Sequence, residues 1–197
     1  MNFSKDDLIF VPLGGSGEIG MNVNLYHYNS DWLMIDLGIS FSDETIPGVD
    51  IILPDIRFVE EQKVNLRGII LTHAHEDHFG AIPYLWDKLK VPIYGTAFTL
   101  ALLRRKLAEA KLSDKIPLHE IKYNIDYNFG AFTIEFVALS HSIPDPAALI
   151  IKTDRGQILH TGDWKLDETP MLGVKTDITR LKQIGDEGVI ALIGDST

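Results

Sequence analysis

The chain has 197 residues, 45% of them hydrophobic, which is enough for one domain with a real core. Its formal charge of −10 argues against a general nucleic-acid-binding surface, although an enzyme acting on nucleic acid stays open where metal ions supply local positive charge. Cysteine is absent, which excludes disulfides, thiolate metal sites and cysteine nucleophiles, and no apolar run is long enough to cross a bilayer.

Residues 1–7 are polar and lack the basic-then-apolar layout of a signal peptide, so a cytoplasmic protein is expected. Residues 8–13 predict a strand ending in a Gly-rich turn, and 23–28 and 32–36 predict two strands around Asn29-Ser30-Asp31. Residues 55–64 carry helical spacing through Ile56, Val59 and Val64. A short buried strand follows over 69–72, then a helix over 81–89 with Pro83 in its first turn, then a strand over 91–94. The clearest helix spans 99–111: Leu100, Leu103, Leu107 and Ala110 share one face, and Arg104, Arg105 and Lys106 are assigned to a solvated one. Residues 127–139 predict a hairpin around Asn128-Phe129-Gly130, and 147–152 with 157–161 predict a second, turning at Asp154-Arg155-Gly156. A helix over 178–184 and a strand over 189–193 follow. This is not the regular alternation of a doubly wound sheet; an α+β fold or a layered αββα sandwich fits better. The strand-to-loop pattern at residues 189–197 predicts a chain that continues beyond Thr197.

The chemistry concentrates in His73-Ala74-His75-Glu76-Asp77-His78, directly after the apolar run ending at Thr72. His73 and His75, two apart at an extended strand end, point the same way. Asp77 and His78 follow where the chain can turn. Two ligand groups this close suit two adjacent ions, about 3.5–4 Å apart, better than one. His141 and Asp163 each follow a predicted strand, where binding residues gather. Nitrogen and oxygen ligands without sulfur suit zinc or manganese.

One motif competes. Gly15-Ser16-Gly17-Glu18-Ile19-Gly20 matches G-x-G-x-x-G after a strand, with Asp36 where a ribose-binding acid would stand. The dinucleotide fingerprint needs a helix directly after the glycines, whereas residues 22–28 are β-patterned. A tight loop near the metal ligands is the better reading. His27 and His119 have no partner pattern and read as structural or surface residues, and His160 reads as a packing residue near the site.

The six-residue cluster matches the His-x-His-x-Asp-His signature of the metallo-β-lactamase superfamily. Together with Pro12-Leu13-Gly14-Gly15, Asp36-Leu37-Gly38, Ser140-His141-Ser142, His160-Thr161-Gly162-Asp163 and Gly194-Asp195-Ser196-Thr197, it resembles most closely the ribonuclease J family of the β-CASP branch. The resemblance covers essentially the whole chain. It implies the N-terminal portion (1–197) of a metallo-β-lactamase domain, an αββα four-layer sandwich incomplete here, with the β-CASP domain and later parts absent. It implies His73, His75 and His141 on a first zinc, Asp77 and His78 on a second, Asp163 bridging both, and Asp36 orienting the site from behind the ligands. Asp77, His78 and Asp163 are then the catalytic set.

The implied activity is hydrolysis of RNA phosphodiesters by 5′-to-3′ exonuclease and endonuclease action, through a metal-activated hydroxide at a dinuclear zinc site, with manganese possible. For the full-length enzyme the implied partners are an RNA substrate and further copies of itself, without a membrane. The family's last ligand is a His supplied after the β-CASP domain. None of the seven histidines here lies beyond Asp163, so the second site is expected to be weak or empty. The rival expectations are another hydrolase on the same fold, a thioesterase or lactonase, or an inactive piece lacking that ligand.

Overall fold

A computed structural model describes residues 4–42, 46–62, 64–113 and 115–195. In chain order the strands and helices are β1 (Ile9–Gly14), β2 (Val23–Tyr28), β3 (Asp31–Ile35), β4 (Ser40–Phe41), β5 (Ile51–Ile52), α1 (Arg57–Glu61), β6 (Leu66–Ile70), α2 (Glu76–Phe79), α3 (Ile82–Leu89) and β7 (Ile93–Gly95). The second half contains α4 (Ala97–Glu109), β8 (Leu118–Glu120), β9 (Asp126–Phe129), β10 (Phe132–Ala138), β11 (Ala147–Thr153), β12 (Gly156–His160), α5 (Ile178–Glu187) and β13 (Ala191–Ile193).

Two sheets form from these strands, in the orders β1-β2-β3-β6-β7-β8 and β13-β12-β11-β10-β9, with β4 and β5 a separate small hairpin. Side-chain alternation sets the layers, because successive residues of a strand face opposite sides. On β2 and β3, Val23, Leu25, Trp32 and Met34 face one way and pack with Ile56, Leu85, Trp86, Leu100 and Leu103 of the helical layer. Their neighbours Tyr26, Leu33 and Ile35 face the other way and meet Phe132, Ile134, Phe136, Leu149 and Ile151 of the second sheet. The outer face of that sheet, through Val137, Ala148 and Ile150, takes Ile184 of α5. Three apolar seams therefore separate four layers, and the αββα sandwich of an α+β fold is the observed architecture.

The outermost seam also contains charge. Glu135 on β10 accepts hydrogen bonds from Arg180 Nε (2.6 Å) and Nη2 (2.9 Å) on α5, and Lys152 Nζ lies 2.8 Å from Glu135 on the same face. These bonds hold the Glu135 carboxyl down at about 2 against the opposing effect of burial.

Differences from the sequence expectations are local. The hairpin β4–β5, the strand β8 and the four-residue helix α2 were not expected, being too short to show a period. The expected solvated face of α4 is only partly so: Lys106 pairs with Glu76 and lies 5.7 Å from the centroid of the Phe79 ring. Residues 196 and 197 of the Gly-Asp-Ser-Thr motif, Lys63 of the expected 55–64 helix and the first three residues lie outside the described ones.

Candidate metal centre

Six donor side chains and one supporting carboxylate meet at the ends of four strands. Asp36 follows β3, His73 and His75 follow β6, His141 follows β10 and Asp163 follows β12, while Asp77 and His78 ride on α2. The local backbone needs glycine to bring them together. A Cβ at Gly38 would stand 1.6 Å from the Asp77 carbonyl oxygen, so no other residue lets this segment run against α2. There the Leu37 N–H donates to the His78 carbonyl (2.7 Å), the Ile39 N–H to that of Glu76 (3.1 Å) and the Asn22 N–H to that of Asp77 (2.8 Å). Gly162, at φ +57°, lets the strand end turn against Thr72, whose Cβ would be 2.9 Å from an added Cβ.

Two donor groups result. In the first, His75 Nδ1 stands 3.0 Å from His73 Nε2 and 3.3 Å from His141 Nε2, and Asp163 Oδ2 stands 3.3 Å from His141 Nε2 and 3.9 Å from His73 Nε2. In the second, His78 Nε2 lies 3.5 Å from Asp77 Oδ2 and 3.1 Å from Asp163 Oδ1. Within each group the donor atoms all lie within 4.8 Å of one another. Asp163 belongs to both groups, one oxygen facing each. Its Oδ1 is buried and receives no hydrogen bond among the described residues, despite the nearness of His78. A buried orphan acceptor is costly by itself and fits a cation between the groups. Four imidazoles and two carboxylates without sulfur fit divalent ions such as zinc. The fold and this cluster are compatible with metal binding.

Protonation favours the first group. Burial, reinforced by the neighbouring His78, pushes the His73 imidazole well below its ordinary value, and burial with His141 pushes His75 down. Their lone pairs are thereby free to ligate. Burial pulls on His78 too, but the Asp36 and Asp163 carboxylates outweigh it and hold that imidazole up at about 10. Burial raises the Asp163 carboxyl, yet the adjacent His141 and His78 imidazoles hold it far below the carboxylate range.

Asp36 is almost fully buried, and its Oδ2 accepts from His78 Nδ1 at 2.7 Å. That bond turns His78 Nε2 toward Asp77 and Asp163, as a carboxylate behind a ligating imidazole does. Two supporting residues were missed in the sequence. Thr72 donates to Asp36 through its backbone N–H and its hydroxyl, both at 2.8 Å. Asn22 places its amide nitrogen 3.0 Å from His78 Nε2 and 3.4 Å from Asp77 Oδ2. Thr72 directly before His73 was the available hint; Asn22 reaches the site only through the fold.

The remaining histidines stay outside both groups. His160 is buried, its Nδ1 2.8 Å from the Tyr26 hydroxyl, and burial lowers it to about 4. His27 Nδ1 lies 2.9 Å from the Asp7 carbonyl oxygen and its ring packs on Trp32, while His119 stacks on Tyr94. The Gly15–Gly20 loop leads into β2 and not a helix, against the dinucleotide reading. It lines a cleft of about 560 Å³ together with Asp77, Asp163 and Asp195.

A four-layer sandwich with this His/Asp cluster at its strand ends defines a class, and comparison with known proteins agrees: the metallo-beta-lactamase superfamily domain matches residues 17–182, and the chain belongs to that superfamily. Within it the chain is similar to ribonuclease J of Sinorhizobium meliloti, 50% identical over 196 residues that make up 98% of this chain and 35% of that protein. Ribonuclease J of Helicobacter pylori is 43% identical over 98% of this chain and 28% of its own length, and that of Thermus thermophilus 39% identical over 98% and 35%. The chain thus spans about a third of the length of the curated relatives it matches. Among solved structures, the metallo-beta-lactamase fold protein YhfI from Bacillus subtilis aligns with a TM-score of 0.59 at 18% identity, over 81% of this chain and 63% of that one. An N-acyl homoserine lactone hydrolase aligns with a TM-score of 0.56 at 18% identity, over 96% and 92%. At that identity these two show the shared fold alone. Among the described residues no helix is long and apolar enough to cross a membrane.

Proposed function

We propose that this chain carries the metal-binding half-site of a ribonuclease of the ribonuclease J kind, a cytoplasmic hydrolase of RNA phosphodiesters. The observation that carries the reading is Asp163, whose two oxygens face separate donor groups while one of them has no hydrogen bond. His73, His75, His141 and Asp163 would hold one zinc, and Asp77, His78 and Asp163 a second; manganese suits the same oxygen-rich second group. Bound metal supplies Lewis acidity, lowering the pKa of a water and offsetting charge on the phosphodiester.

The chain's own residues do the rest. Asp163 fixes the spacing of the two donor groups. Asp36 holds His78 Nε2 toward the shared carboxylate, and Thr72 holds Asp36. Asp77, about a third exposed, lines the cleft and is open to an entering substrate. RNA as substrate rests on the ribonuclease J relatives, as do 5′-to-3′ exonuclease and endonuclease action and self-association of the complete enzyme. The remaining parts of the longer protein, a β-CASP domain with a further histidine ligand among them, belong to the same proposal.

The test is a side-by-side assay with the intact protein carrying this sequence, loaded with zinc or manganese, on 5′-monophosphorylated RNA, a thioester and an acyl homoserine lactone. Cleavage of RNA alone is expected. Turnover of the thioester or lactone without RNA cleavage would overturn the reading.

A further inference from the structure

The seam between the two sheets is hydrocarbon through most of its length but changes character at the end that meets the metal centre. There, Asn24 on β2, His160 on β12, Asp36, His78, Ser16 and Asp195 line a small polar chamber of about 50 Å³. Asn24 is 8% exposed and faces the same side of β2 as Tyr26. Its side-chain amide makes no hydrogen bond with any described residue. His160 spends Nδ1 on the Tyr26 hydroxyl, and its other ring nitrogen has no protein partner among the described residues. Buried amides and ring nitrogens are satisfied in folded proteins, and a polar space of this size has room for about three waters.

We propose that this chamber is a structural water site behind the metal centre, and that Asn24 and His160 are positioning residues for Asp36 and His78, acting through those waters. Asp36 Oδ1 accepts only the Thr72 N–H, which leaves a lone pair for a water on the chamber side. Waters bridging Asn24 and His160 to that oxygen clamp the carboxylate that aims His78 at Asp77 and Asp163. Outer partners of this kind govern the affinity of the ligand they orient. The first donor group, His73, His75 and His141, does not line the chamber, so the effect is confined to the second. The role given to these waters rests on the metal reading above; their presence does not.

The test uses Asn24→Leu, which keeps the volume and removes the amide, and Asn24→Ser, which removes volume but keeps a polar group beside room for one more water. Two readouts are taken on the intact protein: a high-resolution crystal structure and a zinc titration. The expected results are ordered waters bonded to Asn24 and His160 in the wild type, and roughly 10-fold weaker zinc binding at the second group in Asn24→Leu. Binding at the first group should be unchanged, and Asn24→Ser should remain near wild type. Simple packing predicts the reverse order, with Ser the damaging variant. A dry chamber, or Asn24→Leu binding as wild type, overturns the proposal. Chamber waters in a protein that takes no zinc at Asp77 and His78 would sink the metal reading of that group and the positioning role together, leaving the water site standing.

Discussion

The two donor groups share one aspartate and differ in nearly everything else. The first converges three imidazoles from two separate strand ends, with His73 and His75 held neutral by burial. The second offers one imidazole that prefers its proton and one carboxylate that is about a third exposed. Ligand number and readiness therefore both favour the first, and proton competition adds a pH dependence to the second. The candidate centre is thus strongly built on one side and weakly on the other.

That contrast can be broken most severely at Asp163. Asp163→Ala removes a donor from both groups, so metal content measured by mass spectrometry should fall toward zero. Activity of the intact, metal-supplemented protein should drop by more than the roughly 100-fold that loss of a supporting partner costs. Next in size is the pair His141→Ala and His78→Ala. The first should weaken the tighter of two binding steps in a zinc titration, the second only the weaker; identical titrations would show that the groups act as one.

A smaller effect sharpens the comparison. Asp36→Asn keeps the shape of the buried side chain but not its charge, and should weaken only the second step, by about 10–100-fold. Thr72→Val takes one hydrogen bond from Asp36 and one from His73 Nδ1 (3.1 Å), so it should shift the same step in the same direction by less, with a small weakening of the first step beside it.

The smallest effect lies away from the centre and serves as its control. Glu135 has a folded pKa below its ordinary value of 4.5, down at about 2, so its contribution is present above about 4.5 and is lost as pH falls toward 2. Glu135→Gln should remove that slope from acid unfolding curves, at a cost of about 1–3 kcal/mol near neutral pH, and leave zinc affinity unchanged.

Much of this was legible in the chain. The apolar run Ile69-Ile70-Leu71 announces a strand buried on both faces and the alternation of Phe132, Ile134 and Phe136 one buried face, while His73-Ala74-His75-Glu76-Asp77-His78 announces a donor cluster because no ordinary surface segment crowds imidazoles in this way. His141 and Asp163 were placed by their strand ends. What was hidden depends on contacts distant in sequence. Asn22 meets His78 only because Gly38 lets two backbones touch, and the short β8 forms because β7 offers an edge, not because Leu118 to Glu120 has a pattern of its own. Lys106 reads as one of three solvated cations until α2 brings Glu76 beneath it. Local period reports burial; it does not report which buried strand lies next to which.

The central claim is that the chain's own residues form two unequal metal groups hinged on Asp163. Zinc titration of the intact protein by calorimetry, repeated with Asp77→Asn, measures it most directly. Two resolved steps are expected, the tighter unaffected by Asp77→Asn and the weaker reduced or lost. A tighter step that depends on Asp77, or a single step that ignores it, would contradict the account.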